Sequence, residues 1–506
     1  MNTVNLSKSG LPRKRFKKIE SKGEMLRVQI MDTLKGKKLV LHFDGKIVKE
    51  LCEDKNISVE CERIAVSVTS PAFESMDDVL LGVVQAESSK GYDQAHLLLN
   101  LLEYYSIADQ IFAVCCDTTS SNTGVHSGAI QILTEILDLP LVWIMCRHHV
   151  YEVHVSHFME ALTGQKTKGP RRQLYVRLKK VCPSVVDKVN LASKEKQLKL
   201  FDWSSLQPGS VLHRQAVESL AFCSRALLTE TFPRGDYKKM CKLVVVYLGG
   251  EVEDFQHAAP GACHEARFMA DALYLLTLQT TSSVLNVMDE EEKMMVKIAS
   301  FFIATCYAPW FLQSYLGFKA PANDLCAFKV STELTVLYPK LGAALTKSFG
   351  LHSWSLTEKL VPVALCDPDL EMEEKMLMVK KLLGYEIPEE FEKCKPTLPK
   401  LTASTELHEL VGAQSWILLK LNSIQKEDVQ CWVEEGLESS ESYQKFCKFI
   451  RNLVAVNDCA ERNIKLIQEF VMSSNKEDMR QNIMLVAKDN RKKLKKTCLK
   501  ADLKKL

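Results

Sequence analysis

Three acidic residues that lie far apart in the sequence could together bind divalent cations. Asp44 and Asp117 each end an apolar, strand-like run, and Glu461 lies hundreds of residues further along the chain. Two-metal sites hold their cations roughly 3.5–4 Å apart, which activates the attacking oxygen and stabilises the leaving one. Magnesium prefers hard oxygen ligands and relies on few protein carboxylates. These residue types therefore predict a carboxylate site for Mg²⁺, or for Mn²⁺.

Each of the three carboxylates also has an ordinary structural interpretation. Asp44-Gly45 could form a two-residue type I′ turn, because both residue types tolerate positive φ angles. Asp117 begins a polar run that could cap the backbone N–H groups of a following helix. Glu461 could form a capping box with Asp458 as the N-cap. The order of the three residues and their placement favour a shared site, while each alternative stays open.

The elements that must position these residues alternate between strands and helices. Strands are predicted at 38–51, which could also be a hairpin, and at 63–69, 111–116 and 141–145. Helical spacing is found at 91–105, and again through Ile130, Leu133, Ile136 and Leu137. Crossover helices between parallel strands wind right-handed and pack back on the sheet. The order, antiparallel strands followed by helix, strand, helix and strand, is that of a ribonuclease-H-like α/β domain.

Beyond residue 150 the pattern becomes helical. Helical spacing recurs at 211–230, 264–280, 290–306, 325–347, 370–384 and 406–423, and a last helical stretch covers 441–487. We expect Trp310, Trp354 and Trp416 to be core residues. The predicted fold class is an α/β ribonuclease-H-like catalytic domain interrupted by a large all-α insertion domain. Its predicted parts are a basic N-terminal segment (1–35), the first part of the core (36–155), the insertion (156–440), the C-terminal helical part of the core (441–487) and a basic tail (488–506).

After the helical insertion, the chain must come back to the sheet to bring Glu461 near the two aspartates. The helical pattern around Glu461 predicts the direction in which its side chain faces. Val454, Ile464 and Ile467 share one apolar helix face, and Glu461 lies on the same stripe. A glutamate buried on an apolar stripe is costly without a partner, so it should reach a metal or a cation. We therefore expect Glu461 to face the two aspartates, with Asp458 nearer solvent at the start of the helix.

The composition is that of a globular protein with basic ends. The 506 residues are 46% apolar and 25% charged, and the net charge is +3. Basic clusters at 13–18 and 491–496 are typical of nuclear localisation or of phosphate contacts, with solvated termini as the plain alternative. The chain shows no signal peptide, no membrane-spanning run and no CxxC among its 17 cysteines. We therefore predict reduced thiols and a cytosolic or nuclear location, which argues against a secreted disulfide scaffold.

A cysteine and two histidines follow the strand predicted at 141–145. Cys146, His148 and His149 could bind zinc, but the usual partner pair of ligands is missing. Histidines beside a carboxylate site could instead contact phosphate or shuttle a proton. They could also be helix-start residues that pack beneath the helical insertion.

Together these motifs resemble those of hAT-superfamily DNA transposases and their domesticated relatives. The family's two aspartate motifs correspond to 42–45 and 116–122 of this sequence, and its Cys-x-x-His corresponds to 146–149. Its Glu-Arg helix motif corresponds to 460–464, and its Arg-Trp pair to 267–268. It spans roughly residues 36–487. It implies magnesium-dependent DNA cleavage and strand transfer, the chemistry of DNA transposition and recombination, in the nucleus.

The resemblance also implies roles for individual residues. Asp44 and Asp117 would bridge the two metals, Glu461 would complete the site, and His149 would lie against the scissile phosphate or its flanking nucleotide. The DNA contacts predicted from the resemblance and from the basic tail are Arg267, Phe268, Arg462, Arg491, Lys492 and Lys493. The partners implied are DNA and at least a second copy of this chain, with no membrane and no small-molecule substrate.

The sequence departs from the family pattern in two places. Phe268 stands where the family's tryptophan stacks a flipped base, and a phenyl ring offers less stacking area. No counterpart of the family's zinc finger precedes Lys38, so either the chain is truncated or specific DNA recognition has been lost or moved. Both departures favour the alternative prediction, a domesticated DNA- or protein-binding module without catalytic activity.

Overall fold

The computed structural model describes most of the chain in two compact units. The described residues are 10–51, 58–73, 78–164, 166, 171–195, 200–229, 232, 234–253, 255–265, 268–457, 463, 466–467 and 477–492. Among them, unit 1 comprises 10–146, 386–396 and 416–492, and unit 2 comprises 147–385 and 397–415. Unit 1 contains a sheet with helices, and unit 2 is built of helices. The α/β domain and the helical region expected from the sequence are therefore both present.

Unit 1 is organised around a mixed five-stranded sheet. Its strands are β1 (Leu39–Leu51), β2 (Ser58–Thr69), β3 (Val79–Gln85), β4 (Ile111–Cys116) and β5 (Val142–Met145). Their order in the sheet is β3-β2-β1-β4-β5. The first three strands pair antiparallel, whereas β4 runs parallel to β1 and β5 runs parallel to β4. This order brings the carboxyl end of β4 beside the middle of β1.

β1 is one long strand, and the alternative of a tight turn at Asp44-Gly45 is wrong. Asp44 is paired with Ala65 and Gly45 with Ile64, within an antiparallel ladder that continues to Leu51. A hairpin turn at this place would have folded the second half of β1 back on the first. The connection from β1 to β2 lies at 52–57, outside the described residues.

The sequence analysis predicts no strand at the position of β3. It consists of Val-Leu-Leu-Gly-Val-Val-Gln, with Leu80, Leu81 and Val83 buried. A short apolar run of this kind has no periodicity that separates a buried strand from a buried helix. Its pairing with β2, from Arg63 with Gln85 to Val68 with Val79, makes it an edge strand of the sheet.

The helices are numbered in chain order. Unit 1 begins with α1 (Gly10–Leu34), α2 (Gly91–Tyr104), α3 (Ser120–Thr123) and α4 (Ala129–Leu137). Unit 2 contains α5 (Arg147–Thr163), α6 (Gln173–Glu195), α7 (Val211–Thr229), α8 (Gly235–Tyr247), α9 (Ala270–Thr281), α10 (Glu290–Phe302), α11 (Ala308–Leu312), α12 (Ala320–Leu337), α13 (Pro339–Leu351) and α14 (Met372–Leu383). Unit 1 ends with α15 (Trp416–Leu421), α16 (Lys426–Glu434), α17 (Glu441–Arg451) and α18 (Glu477–Lys492).

Two predicted helical segments are divided in the structure. The segment 325–347 is split at Tyr338, because the proline that starts α13 disfavours helical backbone in the residue before it. The segment 406–423 contains the 3₁₀ turns Leu407–Leu410 and Ala413–Ser415 followed by the short α15. The helical character of these segments is confirmed, but their continuity is wrong.

The prediction of a helical stretch throughout 441–487 is also wrong. α17 ends at Arg451, and Val454 lies in a strand-like bridge rather than on a helix. Beyond the end of α17, the Asn452 side chain donates a hydrogen bond to the Pro71 carbonyl, 3.1 Å away. Val454 therefore does not share a helix face with Ile467. The other residues of the predicted stripe, 461 and 464, lie outside the described residues.

A buried ion network ties α18 to the sheet of unit 1. The Arg63 side chain is fully buried, and its guanidinium donates to both oxygens of Glu50 and of Glu477. Arg63 also donates to the Val83 carbonyl at 3.1 Å, and Arg480 donates to Glu50 at 2.8 Å. A buried charge is tolerated only when it is paired and hydrogen-bonded, as these are. The network links β1, β2 and β3 to the last described helix.

The three tryptophans predicted to be core residues are buried, which confirms that prediction. Trp310 and Trp354 lie in unit 2, and Trp416 lies in unit 1, each less than 7% exposed. The core of unit 2 also holds the segment Glu290–Leu312, which is long and apolar enough to cross a membrane. Of its most apolar 18-residue window, 83% is buried inside the protein.

The cysteines of the described residues form no disulfide. Most of them are buried, including Cys115, Cys116, Cys146 and Cys223. Buried thiols behave as small apolar side chains with weak hydrogen-bonding capacity.

Candidate functional site

Two adjacent parallel strands bring Asp44 and Asp117 together. The pairing of β1 with β4 matches His42 with Cys115, and two residues further along each strand lie Asp44 and Asp117. A carboxylate oxygen of one aspartate lies within 4.8 Å of a carboxylate oxygen of the other. Side chains at the carboxyl ends of parallel strands line the crevice where α/β sheets bind ligands. The structure therefore places these two carboxylates close together, and their role as metal ligands stays a prediction.

The position of Asp117 follows from the strand before it. All six residues of β4 are buried, as in a strand that is covered on both faces. Asp117, the first residue after the strand, is the first that is partly exposed. The apolar run therefore fixes where the chain leaves the core, and the carboxylate lies at that point.

Asp117 is held by three hydrogen bonds to one of its oxygens. Its Oδ1 accepts from the Thr119 N–H at 3.1 Å, from the Thr119 hydroxyl at 2.7 Å and from the Asn122 side-chain amide at 2.6 Å. Asn122 is itself buried. Among the described residues, Oδ2 accepts no hydrogen bond. No side chain caps the start of α3, so the helix-capping interpretation is wrong. The bonds to Oδ1 instead form a turn before the helix, and they orient the other oxygen.

Burial and the nearby carboxylates keep the neighbouring thiol of Cys116 protonated. Burial raises the pKa of Cys116 well above its ordinary value, and the charges of Asp117, Cys146 and Asp44 raise it further. A protonated thiol is a poor nucleophile and a poor metal ligand. The chemistry available at this end of the sheet is therefore that of hard carboxylate oxygens.

Asn457 fixes the chain that leads to Glu461. Its side-chain amide donates to the Phe43 carbonyl at 2.6 Å, and its backbone N–H donates to the Cys146 sulfur at 3.1 Å. Asn457 is fully buried. The sequence gives no periodic or motif signal for this role, because both contacts join residues more than 300 positions apart.

Several of the predicted site residues lie outside the described residues. These are Glu461, Arg462, Arg267 and Lys493. Asn457 is the last described residue before Glu461. The roles assigned to these four residues stay predictions.

The predicted histidine and stacking residues lie together in unit 2. His148 and His149 are buried in the first turn of α5. The Phe268 ring lies 5.2 Å from His148 and 5.1 Å from His149, and His148 stacks on Phe311 at 4.6 Å. This is the packing expected of helix-start histidines, and contact with a phosphate or a base stays a prediction. Among the described residues of unit 2, no three side chains converge as metal ligands, so the zinc alternative gains no support.

The helix that carries the first basic cluster packs against the helix in which the second cluster begins. Lys22 of α1 approaches Asp489 at 2.9 Å and Asn490 at 3.1 Å, both on α18. The exposed basic residues are Lys14, Arg15, Lys17 and Lys18 on α1 and Arg491 on α18. Lys492 is the last residue of α18. The first cluster and the start of the second therefore belong to one helix pair in unit 1, and 493–496 lie outside the described residues.

The comparisons with known proteins leave the chain without an assigned family. No protein-family model matches the sequence, and no curated protein matches it. The site therefore has to be interpreted from its own geometry.

A buried histidine next to the aspartates predicts how unit 1 responds to acid. Burial lowers the pKa of His42 to about 4, against an ordinary value of 6.5, although the Asp78 carboxylate acts in the opposite direction. His42 is therefore neutral in the folded protein and hydrogen-bonds Thr69 at 2.8 Å. Because the unfolded histidine protonates first, stability is complete above about pH 6.5 and is lost as the pH falls toward 4.

At pH 5 the contribution of His42 should be about 2 kcal/mol smaller than at pH 7. We expect His42→Gln to remove that part of the pH dependence. The measurement is hydrogen exchange of β1 and β2 in urea at both pH values. An equal loss of stability between pH 7 and pH 5 in wild type and variant would contradict the assignment.

Proposed function

We propose that unit 1 carries a divalent-metal-dependent site for DNA strand cleavage and transfer, of the ribonuclease-H-like transposase kind. The observation that carries this proposal is the convergence of Asp44 and Asp117, from adjacent parallel strands, to within 4.8 Å. Asp117 follows the carboxyl end of β4 and Asp44 lies in the middle of the neighbouring β1, and two such close carboxylates are the expected anchor of a two-metal site.

The sheet order supports a ribonuclease-H-like core. Three antiparallel strands are followed in the chain by a helix, a parallel strand, a further helical segment and another parallel strand. The position of Asn457 favours Glu461 as the third carboxylate of the proposed site. The Asn457 side chain donates a hydrogen bond to the carbonyl of Phe43, the residue before Asp44. Glu461 lies four residues further along the chain, and four extended residues span at most about 14 Å. Its carboxylate can therefore complete the proposed site.

The residues present fit a hard divalent cation. Oxygens bound to one Mg²⁺ at about 2.1 Å lie at most about 4.2 Å apart. The carboxylate oxygens of Asp44 and Asp117 lie within 4.8 Å of each other, which is compatible with a shared ion. When bound, such ions activate the attacking oxygen and neutralise charge on the leaving one. Thr119 and Asn122 fix one oxygen of Asp117, which orients the carboxylate in advance. The chain thus contributes position and negative charge.

The helix pair α1 and α18 supports DNA as the partner. Its exposed basic side chains could neutralise backbone phosphates, and such contacts weaken steeply as salt rises. We include Arg267, Phe268, Arg462, Arg491, Lys492, Lys493 and His149 as proposed DNA contacts. A second copy of the chain and a nuclear location belong to the same proposal.

The test of the proposed function is metal-dependent nicking of DNA. Full-length protein is incubated with supercoiled plasmid and with a labelled hairpin duplex, in Mg²⁺, Mn²⁺, Ca²⁺ or EDTA. We expect strand cleavage with Mg²⁺ or Mn²⁺ and none with EDTA. Tight binding that is independent of metal, without cleavage of either DNA, would contradict it.

Asn122 offers a second test, because it acts through Asp117. Replacing Asn122 with alanine removes the 2.6 Å hydrogen bond to Oδ1 and leaves Asp117 in place. Loss of a residue that orients a metal ligand typically costs about 10–100-fold in metal affinity or activity. In Asn122→Ala we expect the Mn²⁺ concentration that gives half of the maximal rise in melting temperature to increase by about 10–100-fold. Asn100→Ala, the same substitution at an exposed position of α2, is the matched control and should leave this concentration unchanged.

A second candidate function is a transposase-derived DNA- or protein-binding module without catalysis. The observation that favours it is the three hydrogen bonds on Asp117 Oδ1, which give this carboxylate a structural role in the turn before α3 without a metal. In that case Asp117 shapes the turn before α3 and binds no metal. Thermal melting of wild type and Asp117→Asn, with and without Mg²⁺, separates the two functions.

A further inference from the structure

Unit 2 contains a basic cavity that the proposed DNA chemistry does not use. Its volume is about 250 Å³. α8 contributes Lys238, Lys239 and Lys242 to its wall, and α9 contributes Thr277. The segment 255–258 supplies an aromatic ring, an amide and an imidazole. None of the described residues that line the cavity is a carboxylate.

Two lysines of α8, Lys239 and Lys242, supply the positive charge on which the cavity depends. Lys238 and Lys242 are four residues apart, so they share one face of the helix, where like charges repel. Within the described parts of the chain, no carboxylate forms an ion pair with Lys239 or Lys242. Burial lowers the pKa of Lys239, and the groups that oppose this are the thiols of Cys263 and Cys182. Among the residues that the structure describes, the cavity wall therefore combines two lysines, Lys239 and Lys242, with no lining carboxylate.

A buried hydroxyl in the same wall has no hydrogen-bond partner. Thr277 is 2% exposed, and among the described residues nothing bonds its Oγ1. Leaving a buried polar group unsatisfied costs about 1–3 kcal/mol. Gly235, the first residue of α8, also lines the cavity, and no side chain caps this helix start. Backbone N–H groups at a helix start favour an anion.

The segment 255–258 is fixed in place. Asn190 accepts a hydrogen bond from the His257 N–H at 2.7 Å, and its side-chain amide donates to the His257 carbonyl at 3.1 Å. The rings of Phe255 and His257 meet edge to face at 4.8 Å. Burial, and then the charge of Lys239, lowers the pKa of His257 to about 4, so this histidine is neutral. The cavity thus combines fixed hydrogen-bonding groups with an aromatic surface.

We propose that this cavity binds a small phosphate monoester that carries a flat ring, such as a mononucleotide. The phosphate would lie against Lys239 and Lys242, with the Thr277 hydroxyl as a further donor, and the ring would pack on Phe255. Lysine is a point-charge partner for phosphate, and bases stack on aromatic side chains. The cavity volume suits a small ligand rather than a polymer.

This proposal rests on unit 2 alone, and it does not depend on the carboxylate site. It adds a ligand that is bound without being transformed, whereas the sequence predicts no small-molecule substrate.

The experiment is calorimetric titration of the full-length protein with adenosine monophosphate, adenosine and inorganic phosphate. We expect the monophosphate to bind in a saturable manner, and adenosine to bind at least about tenfold more weakly, because it lacks the charged group. Inorganic phosphate should compete with the monophosphate for the same site. Equal affinity for adenosine and its monophosphate would overturn the proposal.

Variants locate the binding in the cavity. The double variant Lys239→Met/Lys242→Met keeps the apolar stems and removes both charges, and we expect at least tenfold weaker binding of adenosine monophosphate. Lys239→Arg/Lys242→Arg should retain binding within a few-fold, which separates lost charge from lost folding. Lys340→Met, at an exposed position of the same unit, is the control and should bind like wild type.

Two results would overturn the assignment. One is unchanged binding of adenosine monophosphate by the double methionine variant. The other is single-stranded DNA binding that the double variant loses while adenosine monophosphate neither binds nor competes. The second result would make the lysines part of a nucleic-acid surface instead of a small-ligand site.

Discussion

Replacing Asp117 with asparagine is expected to abolish metal-dependent DNA cleavage, with a loss of roughly a thousandfold or more. An amide of the same shape removes one negative charge from a site where metal ions supply several kcal/mol of transition-state stabilisation. The asparagine oxygen can still accept hydrogen bonds from Thr119 and Asn122, so the turn before α3 should survive. The rate of plasmid nicking in Mg²⁺ and in Mn²⁺ measures the effect.

A second measurement makes the test independent of cleavage. If the site binds Mg²⁺, the ion at ten times its dissociation constant should stabilise the wild-type protein by about 1.4 kcal/mol. We expect Asp117→Asn to lose this stabilisation, because one of the two carboxylate anchors is gone. Thermal melting with and without Mg²⁺ reports it.

Asp109 provides the matched control for Asp117. It is exposed and lies before β4, at the opposite end of the strand that Asp117 follows. Asp109→Asn removes the same charge and should leave both cleavage and the magnesium shift unchanged. Identical magnesium shifts in wild type and in Asp117→Asn would refute the metal site. Metal-independent DNA binding without cleavage would then leave the binding module as the function.

Arg63→Met is expected to destabilise unit 1 by about 3 kcal/mol, the largest effect on stability that we predict. The arginine is fully buried and donates to Glu50 and Glu477. Methionine keeps much of the apolar stem but leaves the buried Glu50 carboxylate with Arg480 alone. Removing one partner of a buried ion pair costs more than the pair itself contributes, because the other charge stays desolvated.

The measurement must report on unit 1 separately, because a protein with two compact units need not unfold in one transition. Hydrogen exchange of β1 and β2 in urea serves this purpose. The control is Lys49→Met on the same strand, where Lys49 and Glu60 form an exposed pair at 4.0 Å. Such a pair contributes little, so that variant should stay within about 0.5 kcal/mol of wild type. A loss in Arg63→Met no larger than in Lys49→Met would show that the network is not a stabilising element.

The sequence by itself predicted the elements whose signal is local. The apolar runs at 111–116 and 141–145 became β4 and β5 because a chain buried on both faces must be apolar throughout. The end of β4 placed Asp117 at the edge of the core. The α/β domain and the helical region followed from the change in periodicity near residue 150.

Contacts between residues distant in sequence decided the rest. Asp-Gly is a favourable turn pair, yet Asp44 and Gly45 are held in a strand because Ala65 and Ile64 of β2 pair with them. Local turn preference is weaker than the hydrogen bonds and burial of a thirteen-residue strand. The contacts of Asn452 with Pro71 and of Asn457 with Phe43 likewise join residues hundreds of positions apart. Local sequence encodes periodicity and propensity, whereas pairing and the neutralisation of buried charge are settled only when the chain has folded.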